Sequence, residues 1–244
     1  MAFIRHLIFV AAIAVCGAAS AGERPLMVVE LFTSQGCSSC PPADDFVAEL
    51  AREPSALVLS YPVDYWDYLG WKDTLADRSF TARQRAYGDS RGDRHIYTPQ
   101  VVVNGAKHAV GSDRDAVNRS RMSGRGKGAM SVAVSAAVDG ETIRIKVEGT
   151  PPANRQPATV YLLALVKRAE VAIARGENKG RSVTYTNVVR EVVPLGAWDG
   201  TKPTYDAPAS IAKMRSADAF AVIVQEGTPE RPGLIYGAAK GPGL

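Results

Sequence analysis

The spacing of apolar residues follows one rhythm up to about residue 122 and another after it. The apolar run Met27-Val28-Val29-Glu30-Leu31-Phe32 predicts a buried strand. A polar loop, Thr33 to Gly36, leads into Cys37-Ser38-Ser39-Cys40, two prolines and two aspartates. Phe46, Val47 and Leu50 then form a helical stripe, so a helix is expected from Cys40 or Pro41 to about Arg52. Pro41 and Pro42 fit its first turn, where a missing N–H costs nothing. Ala56 to Tyr61 predicts a second buried strand. The segment from Pro62 to Trp71 interleaves Trp66 and Trp71 with Asp64 and Asp67 and fits neither period. Asp73 or Asp77 is expected to cap a helix running to Tyr87, and Arg91 to His95 a charged loop. Val101 to Val103, the Asn104-Gly105 turn and Lys107 to Val110 predict a hairpin. Gly111-Ser112-Asp113 predicts a turn and cap for a helix through Arg121. The order is β-α-β-α-β-β-α.

Ser123 to Ala129 is Gly-rich and basic, and residues 124–129 are expected to be a linker. Beyond it, Met130, Val132, Val134, Ala136 and Val138 alternate, Asp139-Gly140 turns the chain, and Ile143, Ile145 and Val147 alternate back. Further strands are expected at Thr159 to Val166, Glu170 to Ala174, Ser182 to Val193, Ala219 to Gln225 and Leu234 to Ala238. Many short alternating strands read as an antiparallel β-sandwich-like domain over residues 130–244, after an α/β domain over residues 22–123.

Composition changes this picture little. Of 244 residues, 46% are hydrophobic and 22% charged, as in a soluble globular protein. The net charge of +4 is spread among acids, so no nucleic-acid partner is expected. The first residues matter more. Arg5 precedes a short apolar run, Leu7 to Val15, and Ala19-Ser20-Ala21 is a small-residue cleavage site. Residues 1–21 therefore read as a secretory signal peptide, which predicts export with no stable membrane insertion after cleavage. A membrane anchor is the alternative, as is a lipid anchor on Cys16, although Val15 departs from a lipobox.

Cleavage removes Cys16 and leaves Cys37 and Cys40. A bridge closing so short a loop restrains the unfolded chain little, so chemistry is the better reason for the pair. A helix N-terminus favours the thiolate, the attacking species in disulfide exchange. Cys37, the more exposed of the two, is expected to be the nucleophile and Cys40 the resolving thiol. Asp44 and Asp45 would disfavour a thiolate as nearby anions. Alternatives are a static structural disulfide in a non-catalytic interaction protein, or half of a metal site. A zinc site takes four ligands in most structural cases. Only His95 and His108 remain as soft ligands, each read as a lone surface histidine. Two thiolates alone suit copper(I), so copper binding or delivery stays open. No cofactor is expected, and the partner is a protein or a small thiol or disulfide.

This element order, with the dithiol at a helix start and Thr98-Pro99 before a strand, resembles the thioredoxin fold. The resemblance implies that Pro99 is cis and faces the dithiol, and that the Thr98 backbone pairs with an extended partner segment. More narrowly, ELFTSQGCSSCPPAD, VDYWDYLGWKD, RQRAY, YTPQVVVNG, VGSD, RGENKGRSVTYTNVVRE and PLGAWDG resemble DUF1223, an exported thioredoxin-like family of uncharacterised function. Ser38-Ser39 between the cysteines differs from thioredoxin and glutaredoxin, so no redox direction is carried over. Trp66, Trp71, Asp64 and Asp67 are expected either to form a partner-binding wall or to pack between the two halves, with the acids paired to Arg83, Arg85 or Lys72. Arg175 to Arg181 is expected to be a turn, with a reach across to the dithiol as the alternative.

Overall fold

The computed structural model describes residues 25–123 and 128–244. The expected signal peptide and Cys16, and most of the expected linker, lie outside the described residues. Every residue of β1 (Met27–Thr33) and β2 (Ala56–Pro62) is buried, as two-sided apolar strands require. They run parallel, joined by α1 (Pro41–Leu50). After a one-turn 3-10 helix, Asp67–Leu69, comes α2 (Arg78–Arg91). Asp77 caps it, its carboxylate accepting the Ser79 N–H at 2.9 Å. β3 (Gln100–Val103) lies antiparallel to β1, and β4 (Lys107–Val110) antiparallel to β3. α3 (Arg114–Ser123) follows, with the Asp113 carboxylate accepting the Ala116 N–H.

The later strands are β5 (Ala133–Asp139), β6 (Thr142–Glu148), β7 (Ala158–Ala172), β8 (Ser182–Trp198), β9 (Thr204–Pro208), β10 (Ala219–Thr228) and β11 (Arg231–Lys240). Among the described residues they form two sheets: one of eight strands in the order β11-β10-β7-β8-β2-β1-β3-β4, and an antiparallel one of β5-β6-β9. The three-stranded sheet packs its inward positions, among them Ile143, Ile145 and Val147, against Val160, Leu162 and Val222 of the large sheet.

The large sheet therefore crosses from the first half of the chain to the second. The junction is a single ladder pair, Ser60 with Val188. Side chains reinforce it: Ser60 Oγ donates to Thr186 O at 2.7 Å, and Asn187 Nδ2 donates to Val58 O at 3.0 Å. A buried polar cluster spans the same boundary. Arg83 on α2 pairs with Glu30 on β1 at 2.8 Å and donates to Gln225 on β10 at 2.8 Å. Tyr87 donates to Glu30 and accepts from Arg83 and Gln225. Arg83 thus serves Glu30 rather than an acid of the 64–71 segment.

Two expected strands, Thr159 to Val166 and Glu170 to Ala174, are one strand, β7. Its outer part stays paired with β8, Arg168 opposite Thr186 and Ala172 opposite Ser182. There most positions from Lys167 on are exposed, so the ribbon leaves the core and its apolar pattern breaks. β9 alternates exposed and buried but is short and lies between Pro203 and Pro208, which hid it.

Candidate functional site

The site lies at the C-terminal end of β1. Gln100 pairs with Phe32, which sets the Thr98-Pro99 loop beside the loop that leaves Thr33. The Thr98–Pro99 peptide bond is cis. Cys40 is the N-cap residue of α1, its carbonyl accepting the N–H groups of Ala43 and Asp44. Cys37 and Cys40 form a disulfide with Cα atoms 5.4 Å apart.

The loop before the disulfide is held from two sides. On one, Gln35 N donates to Asp73 at 2.8 Å, and Trp71 Nε1 donates to Gln35 Oε1 at 2.8 Å. Gly36 lies so close to Trp66 that a Cβ there would meet Trp66 Cβ at 3.0 Å. Trp66 Nε1 in turn donates to Thr98 Oγ1 at 2.7 Å, tying the aromatic segment to the cis-proline loop. On the other side stands the turn between β7 and β8. Asn178 Nδ2 donates to both Gln35 O (2.9 Å) and Cys37 O (2.8 Å), and Glu177 accepts the Ser38 N–H at 3.3 Å. The two readings of the Arg175 to Arg181 segment meet here: it is a turn, and it reaches the loop of the disulfide. The signal was the run of Gly, Glu and Asn in a hairpin tip, but nothing local says where such a tip lands.

Each expected site residue has a definite place. Cys37, Cys40, Thr98, Pro99, Trp66 and Trp71 converge on one end of the sheet. Asp64 and Asp67 tie the segment to its surroundings: Thr81 Oγ1 on α2 donates to Asp64 at 2.6 Å, and Asp67 accepts the Asp73 N–H at 3.0 Å. Neither is paired to Arg83, Arg85 or Lys72 in the way packing between halves suggested. Both tryptophan N–H groups are used within the chain. Beside them Tyr68 is exposed and stacks on Trp66.

Cys37 is the more exposed of the two cysteines, but by little: it is 2% exposed and Cys40 0%, and the hairpin tip is bonded to the carbonyls of its loop. Asp44 is not the solvated carboxylate expected at a helix start. It is buried, and neither carboxyl oxygen has a hydrogen-bond partner among the described residues. Burial pushes its carboxyl well above the usual range, Asp45 and Asp73 add to that, and the Thr33 hydroxyl offsets it only in part. The clue was in the spacing. Asp44 sits three residues before Val47, beside the apolar stripe, one turn beyond Cys40 on the same face. Asp73 is also raised by burial, although the N–H groups of Gln35, Leu75 and Ala76 hold it.

Nor is His108 a lone surface side chain. Its Nε2 lies 3.2 Å from Asp93, and its Nδ1 shares a hydrogen bond with the Tyr97 hydroxyl at 2.9 Å. Partial burial and Arg91 keep its pKa below the ordinary value. Among the described residues no three His, Cys, Asp or Glu side chains are grouped to hold a metal ion. Among them too, no helix is long and apolar enough to cross a membrane.

A family model described as a protein of unknown function, DUF1223, matches residues 28–225. The crystal structure of a structural-genomics target protein from Agrobacterium tumefaciens is 34% identical to this chain. It superposes with a TM-score of 0.77, and the match covers 89% of this chain and 94% of that one. Comparison with curated proteins gives no match.

Proposed function

This chain belongs to the DUF1223 family, and we propose that it is an exported thiol–disulfide exchange protein with a thioredoxin-like first half. The fold reading is supported by the strand order β2-β1-β3-β4, with β1 and β2 parallel and β3 and β4 antiparallel. One observation carries the chemistry. The Cys37–Cys40 disulfide ends at the N-cap residue of α1, at the end of the sheet where Gln100 pairs with Phe32 after Thr98-Pro99, and the buried carboxyl of Asp44, its pKa raised by burial, lies one helical turn from Cys40.

In this reading an incoming thiolate attacks Cys37 Sγ and the Cys37–Cys40 bond breaks. Cys40 leaves as a thiolate in a site closed to water, and Asp44 is the acid at hand to give it a proton. A second thiol attacks the mixed disulfide on its outer sulfur and releases reduced Cys37. The net change is two external thiols oxidised to one disulfide and the protein reduced to a dithiol; the reverse oxidises a partner.

Exchange is tested by following the thiol content of the full mature chain in a glutathione couple. Wild type is expected to exchange and Cys37→Ser to lose the activity. Equal rates for the two proteins would overturn the reading. The burial of both cysteines supports a second reading, a static disulfide in an interaction protein. A reduction potential below about −300 mV would favour that one. Copper(I) bound by the reduced pair and lost in Cys40→Ser would point instead to metal delivery.

A further inference from the structure

The Cys37–Cys40 disulfide is reached by almost no solvent, and what lies over it comes from the far end of a ribbon. Past Val166, β7 and β8 continue as a two-stranded ribbon whose β7 positions are mostly exposed. A two-stranded ribbon is marginal on its own. A small apolar cluster runs along it from Val188 to Val183 and to Ile173 next to the tip turn, with Tyr185 among them and Trp71 and Leu75 packed against it. Its tip turns through Gly176 and Gly180, both in the left-handed region (φ +77° and +82°). A Cβ on Gly176 would stand 3.2 Å from Trp71 Cβ, so the turn sits tight against the aromatic segment.

The tip holds the CxxC loop through few bonds, nearly all made by one side chain. Asn178 is 1% exposed and donates to both Gln35 O and Cys37 O, while its own Oδ1 is buried with no partner among the described residues. The Glu177 contact to the Ser38 N–H is long, at 3.3 Å, and exposed. Apolar packing holds the ribbon beside Trp71, but the tip's polar hold on the CxxC loop rests mainly on one asparagine, and an acceptor left unpaired in the covered state lowers the cost of releasing that loop. The cover also decides what approaches Cys37. A short thiol needs only a gap above one sulfur. A thiol on a polypeptide brings flanking backbone that occupies the space of residues 176–178.

We propose that the β7–β8 tip is the specificity element of the exchange site: fastened by Asn178 over Cys37 and Cys40, it admits low-molecular-weight thiols and shuts out polypeptide thiols. This rests on the exchange reading. The reaction it selects is two small thiols plus the protein disulfide giving one small disulfide plus the protein dithiol, through a mixed disulfide on Cys37.

The test measures reduction of the oxidised mature chain by 2-mercaptoethanol and by an unstructured peptide with one cysteine. Each rate is divided by that of the same thiol with an exposed small-molecule disulfide, which removes differences in intrinsic reactivity. Wild type is expected to disfavour the peptide by at least about tenfold. Losing both Asn178 hydrogen bonds corresponds to a roughly thirtyfold larger open population, so in Asn178→Ala the discrimination should collapse toward one. Glu177→Ala, which alters an exposed side chain and leaves the buried contacts alone, should lower it a few-fold. Discrimination absent in wild type, or unchanged in both variants, overturns the specificity element and leaves the exchange reading standing. No reduction by either thiol in any of the three proteins refutes the exchange reading and this proposal with it.

Discussion

Removing Arg83 should be among the more damaging single changes in this chain, and the reason is electrostatic rather than volumetric. Its guanidinium meets Glu30 at 2.8 Å in a place where Glu30 is 0% and Arg83 8% exposed. It also donates to Tyr87 and Gln225. Arg83→Met keeps much of the aliphatic stem but leaves the Glu30 carboxylate buried with Tyr87 as its remaining donor in the cluster. Breaking a buried pair from one side costs about 3–5 kcal/mol. For a domain of roughly 150–250 residues each kcal/mol lowers Tm by about 2–4 °C, so the expected fall is about 6–20 °C. Replacing both partners is different, since the unpaired charge disappears. Glu30→Gln together with Arg83→Met should recover at least about half of the loss, the new side-chain amide still accepting from Tyr87. The assay is denaturant unfolding of the four proteins of the cycle, read as ΔΔG at constant m. A single-variant loss below about 1 kcal/mol, or a double-variant loss equal to the sum of the two singles, would refute the argument.

The upward shift of the Asp44 carboxyl has a pH signature. Burial raises its pKa above the unfolded value of about 3.9. Its contribution to stability is therefore full below about pH 3.9 and is lost as pH rises toward the folded value. Asp44→Asn lacks this titration, so its stability relative to wild type should rise between about pH 4 and pH 7; denaturation midpoints at the two pH values that move in parallel would contradict the upward shift. Trp66→Phe removes the Nε1 donor to Thr98 Oγ1 while keeping an aromatic ring beside Tyr68, and should cost about 0.5–1.5 kcal/mol by the same unfolding assay. No measurable change there would mean the tie between the aromatic segment and the cis-proline loop does not hold the site.

The parts of the site that could be read from the sequence are those built locally. The apolar run of β1, the prolines after Cys40 and the stripe of α1 each follow from spacing and backbone chemistry within a dozen residues. Asp77 as a cap and Asn104-Gly105 as a turn belong to the same class. What was not legible depends on residues far apart in the chain. Asn178 meets Cys37 across 141 positions, and Arg83 meets Gln225 across 142. No periodicity reports such a meeting. Asp44 falls between the classes. Its place beside the stripe is visible in the spacing, but an aspartate in a helix's first turn ordinarily faces water and supports the dipole. Here β8 packs on that helix, and only the tertiary arrangement decides that the carboxyl goes inside.

The junction of the large sheet has a further consequence. β2 is apolar but for Ser60 and fully buried, and on its outer side it is matched to β8 by one ladder pair and two side-chain bonds. A chain stopped before residue 124 would keep β1 to β4 and their helices, yet it would present β2 as a bare, largely hydrophobic edge. Such an edge recruits strands from other molecules. In addition to anything its tip does at the disulfide, the second half of the protein thus covers β2, and a chain cut before residue 124 is expected to associate through that strand.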